Sequence, residues 1–189
     1  PRAAKTGALG NAEVVRAVAD AAARFPFPLV VDPVMISKHG APLLAADAIA
    51  VLKQALLPRA ALVAPNLPEA AVLASVEITS LEGVRQAAKR IAGLGPRAVL
   101  IKGGHFTHTA TDILFDGANF TEFPGEHFET PHTHGTGCTY SAAITAGLAK
   151  GLPLVDAIAK AKRYIADAIR TNPGLGAGQR PVNHFAPVT

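Results

Sequence analysis

Cysteine, tryptophan and charged residues are all scarce in this sequence of 189 residues. One cysteine excludes a disulfide framework within the chain and is typical of a reducing compartment, so we expect a cytoplasmic protein. No apolar run approaches the roughly 20 residues of a membrane span, and no basic-then-apolar signal segment is recognisable. The net charge of +4 is mild, and no cluster of Lys and Arg is interleaved with aromatic side chains, which argues against nucleic-acid binding.

The hydrophobic residues, 49% of the chain, are sufficient for an ordered domain with a substantial core. Three apolar runs, at 29–32, 61–64 and 98–101, are typical of strands that are buried on both faces. A hairpin is predicted at 111–115 and 120–123. Helical patterns alternate with these strands at 12–24, 45–57, 68–73, 80–92, 141–150 and 154–170. The alternation predicts one α/β domain over residues 1–189 with a mainly parallel central sheet.

Polar residues follow each of the three predicted strands. Asp32 comes at the end of the first, Asn66 and Glu69 come after the second, and Lys102-Gly103-Gly104 comes after the third. In an open parallel sheet, ligands bind beyond the carboxyl ends of the strands. We therefore expect these residues to line one site.

A glycine-rich turn, Gly135-Thr136-Gly137, precedes Cys138 and the small-residue helical pattern at 141–150. Glycines allow a tight turn and a close approach of the backbone to a ligand, and a helix start offers unpaired N–H groups with partial positive charge. The turn, here called the anion loop (residues 135–137), is suited to a phosphate or to the charge that develops in phosphoryl transfer. The alternative is a turn that merely starts a helix.

The charged residues at the strand ends allow two interpretations each. Asp32 and Glu69 offer the hard oxygen ligands that Mg²⁺ prefers, or they cap a turn and a helix start. Lys102 presents a point charge to phosphate oxygens, or it is a solvated lysine at a strand end.

Cys138 is the reactive residue nearest the anion loop. A cysteine close to a helix N-terminus is favoured as a thiolate, which could act as a general base toward a hydroxyl or as a nucleophile. Alternatively, it is a small buried hydrophobic residue. Together with His132 and His134 it could also bind zinc, although the spacing is not that of a recognised zinc motif.

With these residues in hand, the chain resembles the hydroxymethylpyrimidine/phosphomethylpyrimidine kinases of thiamine biosynthesis, within the ribokinase-like superfamily. The Cys at 138 is informative, because most sugar kinases of that superfamily have Asp there. The matching stretches are 4–9, 30–35, 37–38, 65–70, 99–105, 133–139 and 181–185. The resemblance implies a three-layer α/β/α fold.

The resemblance also implies an activity. ATP would donate its γ-phosphoryl group to the hydroxymethyl group of the pyrimidine, and a second transfer would give the diphosphate. Mg²⁺ would assist, and a homodimer is expected. The implied roles are an anion hole at Gly135, Thr136 and Gly137; a base at Cys138; Mg²⁺ binding by Asp32 and Glu69; ATP binding by Asn66, Lys102, Gly103, Gly104, Thr133 and His134; and substrate contacts by Ala8 and Lys38.

The sequence departs from the family in several places. His132 stands where Asn is usual, His39 replaces a common Ser, and 176–180 differs from the usual Gly/His-rich ending. The family's first strand, its glycine-rich substrate loop and the following helix are expected to be absent from this chain. Three alternatives therefore stay open: a pyridoxal-type kinase, a nucleotide-binding remnant without catalysis, and a Cys-dependent or zinc hydrolase.

Overall fold

The central element is a six-stranded sheet, seen in a computed structural model that describes residues 1–36, 42–103, 110–130, 132–178 and 180–187. The first four strands are parallel, and the last two are antiparallel to their neighbours. In spatial order, which is also chain order, they are β1 (Ala4–Thr6), β2 (Leu29–Val31), β3 (Leu62–Val63), β4 (Val99–Ile101), β5 (Asp112–Phe115) and β6 (Phe120–Phe123).

One face of the sheet is covered by the helices that connect the parallel strands. Asn11 and Ser80 cap two of them by accepting hydrogen bonds from the N–H groups of Val14 and Gly83. The helices are α1 (Ala12–Ala22), α2 (Ala46–Val51), α3 (Leu67–Ala74) and α4 (Leu81–Ala92). The segment predicted as one helix at 45–57 instead continues beyond α2 as a π-helical turn, Leu52–Leu56, and a 3₁₀ turn, Leu57–Arg59. Pro58 lacks an N–H, and α-helical bonding does not extend through it.

The other face carries α5 (Thr136–Ala149) and α6 (Leu154–Arg170), which pack against each other. The prediction for α6 is confirmed. The start predicted for α5, Ser141, is wrong by five residues, because Gly135 adopts φ +82° and its carbonyl accepts the N–H of Thr139, which begins the helix earlier. Among the described residues, no helix combines the length and apolar character that a membrane crossing requires.

Strands β2 to β6 each contribute to two cores, because successive side chains point to opposite faces. In β2, Leu29 and Val31 pack under α1–α4, whereas Val30 packs under α5 and α6. In β4, Val99 and Ile101 join the first core and Leu100 joins the second. The predicted α/β fold with a mainly parallel sheet is confirmed, as three layers.

Candidate active site

The carboxyl ends of β2, β3 and β4 meet at one edge of the sheet, as predicted. Lys102 is joined to the turn after β3, since its N–H donates to the carbonyl of Pro65 at 2.8 Å. Its Nζ lies 2.8 Å from Oδ1 of Asp32, which follows β2. The ion pair spans 70 positions in the chain and fixes both charges at this edge.

Asp32 is almost completely buried, with 2% of its surface exposed. Its Oδ2 accepts a hydrogen bond from Ser141 Oγ at 2.9 Å, and that hydroxyl also lies 3.1 Å from the carbonyl of Cys138. The Asp32 carboxylate therefore joins the sheet edge to the first turns of α5. Ser141 was not predicted as a site residue, because nothing local marks a serine that bonds 109 positions away.

Glu69 and Asn66 form a capping box at the start of α3. The Asn66 side chain accepts the N–H of Glu69 at 2.9 Å, and Glu69 Oε2 accepts the N–H of Asn66 at 2.9 Å. Glu69 Oε1 lies 3.4 Å from the N–H of Met35. Burial raises the pKa of Glu69, and the Lys102 charge opposes this rise. The hydrogen bonds of Glu69 are thus those of a helix cap. The charged groups that influence its pKa, Lys102 and Asp32, are residues of the site.

The anion loop is a left-handed turn at the N-terminus of α5. Thr136 Oγ1 donates to the carbonyl of Thr133 at 2.8 Å, which closes the turn. Neither the N–H of Gly137 nor that of Cys138 has a hydrogen-bond partner within the described part of the chain. A Cβ added to Gly137 would lie 3.6 Å from Lys102 Nζ. Two donor N–H groups and an ammonium therefore converge beside the Asp32 carboxylate.

The C-terminal segment runs beside the residues that enter the anion loop. The N–H of His134 donates to the carbonyl of Arg180 at 3.3 Å, and the carbonyl of His134 accepts from Val182 at 3.4 Å. His132 Nδ1 accepts the N–H of Arg180 at 3.4 Å. In the described ranges, no three His, Cys, Asp or Glu side chains are grouped so that they could hold a metal ion. The zinc alternative from His132, His134 and Cys138 therefore gains no support.

Gly103 is held by a buried carboxylate that was not predicted as part of the site. Its N–H donates to Asp112 Oδ1 at 2.8 Å. A Cβ at this position would stand 1.7 Å from the carbonyl oxygen of Thr111, so only glycine fits. Asp112 Oδ2 accepts from Lys162 Nζ at 2.6 Å and from the Tyr140 hydroxyl at 2.9 Å.

The remaining predicted residues are placed as follows. Ala8 is exposed beyond the carboxyl end of β1, at the edge that carries the site. Cys138 is exposed in the first turn of α5, so the buried-hydrophobe alternative is wrong. Gly104 and Lys38 lie outside the described residues. A cavity of about 520 Å³ begins at Cys138 and Thr139 and runs between α5 and α6.

Comparison with known proteins decides the family. A family model described as phosphomethylpyrimidine kinase matches residues 1–183. The chain belongs to the phosphomethylpyrimidine kinase family. It is 47% identical over 189 residues to the hydroxymethylpyrimidine/phosphomethylpyrimidine kinase of Haemophilus influenzae, covering 96% of this chain and 70% of that protein.

A second relative and a solved structure extend this likeness. The thiamine biosynthesis bifunctional protein ThiED of Geobacter sulfurreducens is 49% identical over 183 residues, which are 96% of this chain and 37% of that protein. The pyridoxal kinase of Staphylococcus aureus, solved with AMP-PCP and pyridoxal, superposes with a TM-score of 0.90 at 34% identity, over 98% of this chain and 68% of that one. The chain therefore shares its fold with a kinase of known structure.

Proposed function

We propose that the chain phosphorylates 4-amino-5-hydroxymethyl-2-methylpyrimidine and then its monophosphate, with ATP as the phosphoryl donor, in the biosynthesis of thiamine diphosphate. Membership of the phosphomethylpyrimidine kinase family supports the substrate class. The observation that carries the chemistry is the convergence of the Lys102 ammonium and the Gly137 and Cys138 N–H groups at one helix N-terminus.

The anion loop would stabilise the charge of the transferred phosphoryl group. In phosphoryl transfer the protein contributes mostly positioning and electrostatic stabilisation. The N–H groups at the start of α5 point out of the helix and need no reorganisation to accept an anion. The Lys102 ammonium, held by Asp32, lies beside them and would balance the negative charge of the phosphates.

Mg²⁺ is the metal that the family implies, and the donor set fits it. Asp32 and Glu69 supply two hard carboxylate oxygens, and Mg²⁺ in such sites keeps several waters and binds through one or two carboxylates plus substrate phosphates. We propose that these two residues hold it, directly or through water. When bound, the ion would neutralise charge on the phosphate oxygens.

The other roles are those that the resemblance to the family implies. Cys138 would accept the proton of the substrate hydroxyl, because it is exposed in the first turn of α5 beside the anion loop. Asn66, Gly103, Gly104, Thr133 and His134 are proposed on the ATP side, and Ala8 and Lys38 on the pyrimidine side. The backbone groups of His134 are paired with the C-terminal segment, so its side chain is the part available to ATP.

A direct test measures ADP release with the pyrimidine, its monophosphate and pyridoxal as acceptors. We expect turnover of both pyrimidines and slower turnover of pyridoxal. Faster turnover of pyridoxal would favour the second candidate, a pyridoxal kinase, which the superposition on the Staphylococcus aureus enzyme supports. Protection of the fold by ATP without ADP release from any acceptor would instead identify a nucleotide-binding remnant.

We also propose that the chain acts as one domain, as a homodimer and in the cytoplasm. Both helix layers pack on the same sheet, which supports the first point. The single cysteine supports the third. Light scattering on the purified chain tests the dimer, and a mass equal to one chain would refute it.

A further inference from the structure

The Asp112 carboxylate receives hydrogen bonds from three separate parts of the fold. It is 1% exposed at the first position of β5. Its donors are the N–H of Gly103 in the turn after β4, the hydroxyl of Tyr140 in α5, and the ammonium of Lys162 in α6. These four residues are here called the Asp112 cluster (Gly103, Asp112, Tyr140, Lys162), and none of its three hydrogen bonds to the carboxylate is longer than 2.9 Å.

We infer that Lys162 and Asp112 are positioning residues for the reaction: they fix the backbone of Gly103 and thereby place the Lys102 ammonium beside the anion loop. The inference rests on the proposed kinase function. Neither residue is expected to touch ATP or the pyrimidine. They act through Lys102, which is bonded to Gly103 by one peptide unit.

The backbone at Gly103 has little freedom to move. An added Cβ would lie 1.7 Å from the Thr111 carbonyl oxygen, so this part of the chain is pressed against the start of β5. The N–H of Lys102 is bonded to the carbonyl of Pro65, and the next N–H along the chain, that of Gly103, is bonded to Asp112. The Lys102 backbone is therefore held on both sides. A shift of the Gly103 backbone would therefore displace the Cα of Lys102 and, with it, the Nζ.

The Lys162 ammonium keeps the carboxylate a strong acceptor. Burial raises the pKa of Asp112, and Lys162, Tyr140 and Gly103 all oppose that rise. Lys162 is itself held by a second bond, to the carbonyl of Ala110 at 2.6 Å. Removal of the ammonium would leave the Asp112 carboxylate buried without a counter-charge. Removing one partner of a buried ion pair in this way is strongly destabilising.

The same cluster also orders α5. Tyr140 is buried, its hydroxyl donates to Asp112, and the Lys162 ammonium lies 5.8 Å from the centre of its ring. Tyr140 is three residues after Gly137 in α5. The Asp112 cluster therefore holds both elements that border the proposed phosphate position, the turn at 102–103 and the N-terminus of α5.

The experiment is a double-mutant cycle between Lys162→Met and Lys102→Met. It measures kcat, the KM for ATP and, by calorimetry, the Kd for ADP. We expect Lys162→Met alone to lower kcat/KM by about 10-fold or more. When Lys102 is already Met, the same substitution should lower kcat/KM by less than about 2-fold, because the effects of residues that act through one another are not additive. Lys162→Arg, which keeps the charge, should recover most of the loss.

Controls separate positioning from loss of folding. Arg163→Met removes an exposed charge from the neighbouring position of α6 and should leave all three constants unchanged. Tyr140→Phe deletes one bond of the cluster and keeps the ring, so it supplies a milder second variant. It should raise the KM for ATP, and that rise should also vanish in the Lys102→Met background.

Two results would overturn the inference. One is an equal fold-loss from Lys162→Met with and without Lys102, which indicates a purely structural ion pair. The other is no loss in Lys162→Met. If the unchanged protein binds ADP but phosphorylates no pyrimidine, the proposed function fails alone, and the same cycle read by the Kd for ADP still decides the positioning role. If it does not bind ADP, both fail.

Discussion

Replacing Gly137 by alanine should separate the stability of the fold from the chemistry of the anion loop. Gly137 is the second residue of α5, and the nearest heavy atom to an added Cβ is Lys102 Nζ at 3.6 Å, an ordinary contact. The fold therefore has room for the methyl group. Alanine favours a helix by up to about 1 kcal/mol over glycine, so we expect the free energy of unfolding to rise by about 0.5 kcal/mol at this first-turn position.

The added methyl group stands where a phosphate must approach the N–H groups. Loss of one donor from a preorganised anion hole typically lowers kcat by about 10²- to 10³-fold, and we expect about 10²-fold here. The Tm should rise by about 1–2 °C, since 1 kcal/mol corresponds to about 2–4 °C in a chain of this size. The assays are thermal unfolding and ADP release with the pyrimidine.

Gly147 in the same helix is the matched control. Its added Cβ would lie 2.9 Å from Ala157 Cβ and 3.2 Å from Ala157 Cα, at the crossing of α5 and α6. Overpacking costs about 1–3 kcal/mol, which exceeds the gain in helix propensity, so Gly147→Ala should lower the Tm and leave turnover per folded molecule unchanged. Ordinary turnover in Gly137→Ala would refute the anion-loop argument.

Three further predictions concern single side chains. Cys138→Ser should slow phosphoryl transfer by at least ~10²-fold if the thiol is the base; near-normal turnover would remove that role. Glu69→Gln keeps a residue type that can complete the capping box but removes the charge, so it should raise the Mg²⁺ concentration needed for activity; an unchanged Mg²⁺ titration would leave Glu69 as a cap alone. Asp112→Asn should alter the pH dependence of urea unfolding. Burial raises the pKa of Asp112 in the folded chain, so its contribution to stability is present below about pH 4 and is lost as pH rises through the folded pKa. The stability difference between the unchanged protein and Asp112→Asn should therefore shrink as pH rises, and a widening difference would contradict this direction.

Local patterns were sufficient where the relevant contacts are local. The hairpin of β5 and β6 and the bounds of α6 were both predicted from short stretches of sequence. Asp116 closes the hairpin turn by accepting the N–H of Asn119, three positions away. The meeting of Asp32 and Lys102 was also predictable, because parallel strands bring their carboxyl ends to one edge.

The sequence could not reveal contacts that the packing of distant elements creates. Ser141 meets Asp32, and Lys162 meets Asp112 across 50 positions, with no motif to connect them. The start of α5 was predicted too late because Gly, Thr and Cys are weak helix formers. It is the tertiary setting, in which Ser141 and Tyr140 are anchored, that holds this turn in a helix.

The sheet order, in which every strand lies beside the strand before it in the chain, has a consequence for synthesis. Each strand can pair with its predecessor as it leaves the ribosome, without waiting for a later segment to insert between them. Helix α5, which begins at the anion loop, is synthesised after the six strands and packs on the face of the sheet opposite α1–α4. His134, which precedes the anion loop, is paired with Pro181, a residue that follows α6 in the chain. The phosphate site is therefore completed only after the sheet that carries Asp32 and Lys102 has been synthesised, because α5 and residues 180–182 both follow β6 in the chain.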